Sequence, residues 1–184
     1  MKAKWSVLLA IPLLLTGCGY NTIQTMDESA AAARKQIEVQ LQRRADLVPN
    51  LVETVKGYAK QEETIFTAVA EARAKLSGAV QGGNVGEMAT ANEAMTGALG
   101  RLLAISENYP QLKSDQNFLR LQDELSGTEN RIAVARTDYN NAVRDYNSYI
   151  RKFPAVLTAK VTGAKARDYF EASAAAQTAP AVKF

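Results

Sequence analysis

The stretch NFLRLQDELSGTENRIAVARTDYNNAVRDYNSYIRKF, residues 117–153, carries Phe118, Leu125, Ile132, Tyr139, Tyr146 and Phe153 at seven-residue spacing. Leu121, Ala135, Ala142 and Tyr149 form a neighbouring row, and no proline interrupts the segment. Seven-residue recurrence of two adjacent apolar rows is the pattern of a helix that buries one face. Ser114 or Asp115 can cap its start, and Phe153-Pro154 stops it. At 1.5 Å per residue, a helix over 115–153 would be roughly 58 Å long.

Upstream, 26–76 reads as another helical pattern. Leu41, Val48, Val55, Val69 and Leu76 keep steps of seven, missing only at Glu62. Rows through Leu51, Tyr58, Ile65 and Ala72, and through Ala45, Val52, Ala59 and Phe66, widen it to a bundle-type face. Pro49 falls inside, where it removes one backbone hydrogen bond, yet the register continues across it. A kinked helix is therefore preferred to a hairpin. SGAVQGGN at 77–84 reads as a break, and Asn84 with Glu87 as the capping box of a second helix bearing Met88, Met95, Leu99 and Leu102. That helix ends near Asn108, with a turn at Tyr109-Pro110. Residues 155–171 can supply a shorter helical segment through Val156, Leu157, Val161, Tyr169 and Phe170. The expected fold class is all-α: an antiparallel bundle of three long helices plus a shorter C-terminal helical segment, four-helix-bundle-like.

The N-terminus reads as an address. Lys2 and Lys4 precede an apolar run from Trp5 to Leu15, about eleven residues where a membrane span needs roughly twenty. Leu15-Thr16-Gly17-Cys18 has the form of a lipobox: an aliphatic residue, two small residues and a cysteine to be lipidated. The expected organisation is a lipoprotein signal peptide at 1–17, the lipidated Cys18 with a tether to 26, a helical bundle at 27–171 and a flexible tail at 172–184. Gly19 after the cysteine favours the periplasmic face of the outer membrane in a diderm; a monoderm would keep the anchor on the outer face of the plasma membrane.

Composition narrows the chemistry. The 184 residues include no histidine and one cysteine. Imidazole-based catalysis, His-containing metal sites and an internal disulfide are thereby excluded. Alanine, the best helix former, occupies 31 positions. Residues 1–17 hold two of the 22 cations and none of the 19 acids, leaving 20 against 19. The mature chain is thus nearly neutral, and the basic pI is no argument for nucleic-acid binding.

Arg43, Arg44, Asp46 and Asn50 form the densest polar cluster, beside Pro49. It reads either as a recognition surface for an anionic headgroup, polymer or partner protein, with Lys56 joining for lipid, or as intrahelical pairing, with Asn50 satisfying backbone groups freed by the proline. Intrahelical pairing is the simpler reading. Glu62-Glu63, Asp123-Glu124 and Glu129 could serve as glycosidase carboxylates or a metal cluster but read as solvated acids, with Glu62, which falls in an apolar row, the one to check for a buried arginine partner. Tyr139, Tyr146 and Tyr149 read as core. No catalytic residue, metal ligand or cofactor is assigned.

QLQRRADLVPNLVETVKGYA at 40–59 and NFLRLQDELSGTENRIAVARTDYNNAVRDYN at 117–147, followed by Phe153-Pro154, resemble the LemA family of bacterial envelope proteins over about 25–170. The resemblance implies an all-helical bundle exposed outside the cytoplasm and carries over no activity. Many members of the family use an uncleaved N-terminal membrane helix, from which the lipobox departs. The expected function is a membrane-anchored, non-enzymatic envelope scaffold or interaction module. It would be held by N-terminal lipid and would engage a protein partner and no nucleic acid, with homo-oligomers compatible. The alternative is a carboxylate-dependent cell-wall glycan enzyme or an accessory factor of a membrane protease.

Overall fold

The computed structural model describes residues 19–171, and these are helical with no strand among them. Helix α1 is Tyr20–Tyr58, α2 Glu63–Gly82, α3 Val85–Ala104, α4 the single turn Pro110–Lys113, α5 Gln116–Tyr149 and α6 Ala155–Thr162, with a 3₁₀ turn at Ile105–Glu107. The expected all-α bundle is present. Residues 1–18, with the expected signal peptide and lipidated Cys18, and the tail at 172–184 lie outside the described residues.

The chain divides into two compact units, with residues 36–136 and Phe170 in the larger and residues up to Lys35 with 137–169 in the smaller. In the larger unit the first heptad pattern belongs to two helices. Helix α1 runs through Pro49 without interruption, as expected, and the chain instead breaks at 59–62. The register survives because Leu41, Val48 and Val55 of α1 and Val69 and Leu76 of α2 are all buried in the same unit. Gly57 and the missed apolar position at Glu62 are the local traces of the break, and Glu62 stands at the N-cap position of α2 without a capping side-chain hydrogen bond.

The connection expected over Ser77–Asn84 shrinks to two residues. Helix α2 continues past Gly78 because Leu76 and Ala79 bury its face, which outweighs a glycine cost of about 1 kcal/mol. Gly83 then turns left-handed (φ 70°) and returns its N–H to the Ala79 carbonyl. Asn84 caps α3, its Oδ1 accepting from the Glu87 N–H at 3.1 Å. Asp115 caps α5 in the same way, accepting from the Phe118 N–H at 2.9 Å, and its other oxygen accepts from the Tyr58 hydroxyl at the end of α1.

The smaller unit holds the start of α1, the end of α5, and α6. Its core is Ile23, Tyr146, Ile150 and Ala159, with Met26, Tyr149 and Ala164 against it. Residues 20–26, expected as tether, are therefore helix: Ile23 finds an apolar partner surface, and this burial draws the chain into order. Tyr139 and Tyr146 are core, as their spacing predicts. Phe153 is not; α5 ends at Tyr149, the heptad phase ends with it, and Ile150 takes the buried place.

Helix α6 covers only half of the segment expected to be helical. Gly163 at φ 72° ends it, and 164–169 run as an extended strap held by side chains rather than by a helical ladder. Asn147 accepts from the Arg167 N–H at 2.8 Å and donates to the Arg167 carbonyl at 2.9 Å.

Candidate functional site

The polar cluster around Pro49 lies within the larger unit, and the structure separates its members. Arg44 is 4% exposed. Its Nη1 donates to Asn92 Oδ1 on α3 at 2.6 Å and lies 2.6 Å from Glu129 Oε2 on α5. One guanidinium thus joins three helices. Burial pulls the Arg44 pKa below its ordinary value, and the Glu129 carboxylate opposes that pull. The buried Arg44 is thus the partner of Glu129 and not of Glu62, which sits half-buried at the start of α2.

Arg43, Asp46 and Asn50 are exposed. Asp46 accepts from Gln42 Nε2 at 2.9 Å, an i,i+4 pair on the same helix. With Arg44 inside and its neighbours outside, the four residues do not form one recognition surface. Their spacing of one to four places Arg44 on the buried stripe, between Leu41 and Val48, and turns Arg43 away from it. Lys56 is also committed, 3.4 Å from Glu53 and 5.6 Å from the centre of the Phe66 ring.

Pro49 has no N–H to give the Ala45 carbonyl four residues earlier. Arg73 of α2 supplies the donor, its Nε reaching the Ala45 oxygen at 2.9 Å. The freed backbone group is thus satisfied across helices rather than by Asn50, whose carbonyl accepts from the Thr54 hydroxyl. Beside this bond Val48, Pro49, Val52, Phe66 and Val69 line a groove of about 720 Å³, rimmed by Glu53, Lys56, Lys60, Glu63 and Arg73. Mixed charge on an apolar floor suits a partner side chain better than a small anion.

Sequence reading missed a second polar constellation, in the smaller unit. Arg167 donates from Nε and Nη2 to the two oxygens of Asp27 at 2.7 and 2.8 Å, and lies 6.0 Å from the centre of the Tyr146 ring. The Tyr139 hydroxyl donates to the Asp168 carbonyl at 2.8 Å. The arginine hydrogen bonds hold the Asp27 pKa below its ordinary value of 3.8, and desolvation raises those of Tyr139 and Tyr146. Asp27 and Arg167 are 140 residues apart, so no local pattern could have paired them.

The acids considered for glycan chemistry are scattered. Glu62 and Glu63 lie at the start of α2, Asp123 and Glu124 on α5, and Glu129 is held by Arg44. Among the described residues no group of three acids or cysteines is placed to hold a metal ion, and no helix is long and apolar enough to cross a membrane.

Comparison with known proteins adds the following. The LemA family profile matches residues 33–184. Magnetosome protein MamQ 2 of Paramagnetospirillum magneticum is 33% identical over 182 residues, covering 86% of this chain and 67% of that protein. Magnetosome protein MamQ of Magnetospirillum gryphiswaldense matches with the same identity and coverage. Protein LemA of Metamycoplasma hominis is 28% identical over 134 residues, 72% of this chain and 57% of its own length.

Proposed function

The chain belongs to the LemA family, and from that premise we propose that it is a lipid-anchored, non-enzymatic scaffold or interaction module of the bacterial envelope. The observation that carries the scaffold reading is how the structure uses its buried polar groups. Arg44, Asn92 and Glu129 tie three helices together, and Asn147, Arg167 and Asp27 hold the strap. These side chains are engaged in joining helices and holding the strap, which suits a rigid bundle that presents surfaces. Leu15-Thr16-Gly17-Cys18 supports the anchor, and Gly19 supports sorting to the outer membrane in a diderm. The magnetosome association in the names of the relatives is consistent with work at a membrane.

Replacing Cys18 by Ser tests the anchor: acylation should be lost and the protein should leave the membrane fraction. A variant that stayed membrane-bound and unprocessed at its N-terminus would overturn it. For the scaffold, crosslinking in intact envelopes should capture a defined protein partner. Turnover of cell-wall material by the purified protein, abolished by one of Glu62→Gln, Asp123→Asn or Glu124→Gln, would replace the scaffold with an enzyme.

A further inference from the structure

Helix α6 and the turn before it expose an apolar ridge. Phe153 and Val161 are each 79% exposed and Leu157 is 50% exposed. Leu157 and Val161 are four residues apart on one face of α6, and Phe153 lies in the turn two residues before its start. Ala155, Thr158 and Ala159, on the opposite face, are the buried side of the helix. A surface helix ordinarily turns polar residues outward, and this one turns out its largest apolar ones.

The ridge is flanked by one sign of charge. Arg151, Lys152, Lys160 and Lys165 are all exposed, and no acid occurs between Asp145 and Asp168. Asp145 is paired with Arg144 and Asp27 with Arg167, and Asp168, exposed at the end of the strap, is the acid nearest along the chain to Lys165. The start of the described chain lies against the buried side of the same helix: a side chain at Gly19 would meet the Tyr149 hydroxyl at 3.0 Å and the Ala155 Cβ, at the first residue of α6, at 3.7 Å. The residue that follows Cys18 is therefore next to the helix that carries the ridge, on its opposite face.

We propose that this end of the smaller unit docks on an anionic phospholipid bilayer, with Phe153, Leu157 and Val161 entering the acyl boundary and the four cations meeting headgroup phosphates. The placement of the face toward the membrane rests on the lipid-anchor reading; the ridge and its charge stand without it. A bilayer fits better than a second copy of the chain. A two-fold interface sets the same patch against itself, and here it would press cations on cations. Apolar burial with juxtaposed cations is the recognised composition of interfacial helices, and each Lys or Arg near an anionic surface raises binding about fivefold.

The test uses the full chain with Trp5→Phe, so that one introduced tryptophan reports. Phe153→Trp, Leu157→Trp and Val161→Trp are made singly. The reference is Ala32→Trp, exposed and about 20 Å along α1 from Gly19. Each is reconstituted with vesicles of phosphatidylcholine and phosphatidylglycerol carrying brominated acyl chains. The three ridge tryptophans should be quenched at least threefold more than the one at 32. Charge reversal of Arg151, Lys152, Lys160 and Lys165 to Glu should remove that difference. Equal quenching at all four positions in protein that floats with vesicles overturns the docking face and leaves the anchor intact. Protein that does not float at all overturns both. A blue-shifted but unquenched ridge tryptophan in a chain that sediments as a dimer would assign the ridge to self-association and overturn the bilayer.

Discussion

Changing either end of the Arg44–Glu129 pair should produce unequal losses, and burial decides which is larger. The Arg44 side chain is 5% exposed and that of Glu129 45%. Arg44→Met keeps an unbranched apolar stem in place, removes the charge and leaves Glu129 able to turn toward water. Its main cost is Asn92 Oδ1, buried and without its donor, about 1–2 kcal/mol. Glu129→Gln does the reverse and leaves a buried guanidinium with only neutral acceptors. Breaking a buried pair from that side costs about 3 kcal/mol, a little less here because the Gln carbonyl can still accept. The double variant Arg44→Met with Glu129→Gln should cost no more than Arg44→Met alone, a coupling as large as the Glu129→Gln loss itself, about 2–3 kcal/mol. Urea unfolding followed by far-UV circular dichroism, with the slope checked for constancy, reads all three. Equal losses, or a larger loss from Arg44→Met, would refute the claim that the charge inside the bundle is held there by Glu129.

Three further expectations follow from the same bookkeeping. Arg73→Met should strand the Ala45 carbonyl and cost about 1–2 kcal/mol, and Pro49→Ala should stabilise more in that background than in the native chain, because alanine restores the N–H that Arg73 replaces; equal gains in both backgrounds would break the link. Asn84→Ala should cost about 1 kcal/mol in thermal or urea unfolding through loss of the α3 cap, with Asn84→Ser nearly neutral. Since the folded Asp27 pKa lies below its ordinary value, its contribution is complete above about pH 4 and is lost as pH falls through the folded value; urea midpoints at pH 5 and pH 3 should therefore fall less steeply in Asp27→Asn than in the native chain, and parallel falls would remove Asp27 from the acid sensitivity.

The heptad rows made the helices and most of their buried faces legible, Asn84 announced the α3 cap, and of the two candidates Ser114 and Asp115 the structure uses Asp115. The reversal at 59–62 was not legible, since AKQE contains no residue that must leave a helix. What ends α1 is the gain from folding α2 back on the same core, a tertiary term that periodicity cannot register because both helices share the phase. Arg44 was misjudged for a related reason: in sequence it is one of two adjacent arginines beside an aspartate, and only the positions of Asn92 and Glu129 make it a buried tie.

By itself the sequence determined that this is a histidine-free all-helical chain, because apolar period and residue inventory are properties of the chain alone, and the stretches at 40–59 and 117–147 carried its resemblance to the LemA family. It also carried the lipobox that supports the anchor. The tertiary structure decided which polar residues are engaged and which faces stay open. Arg73 completes the backbone at Pro49, Arg167 finds Asp27 across 140 residues, and the Phe153–Leu157–Val161 ridge remains uncovered. These outcomes depend on distances between elements remote in sequence, and the burial energy that sets those distances belongs to the packed whole.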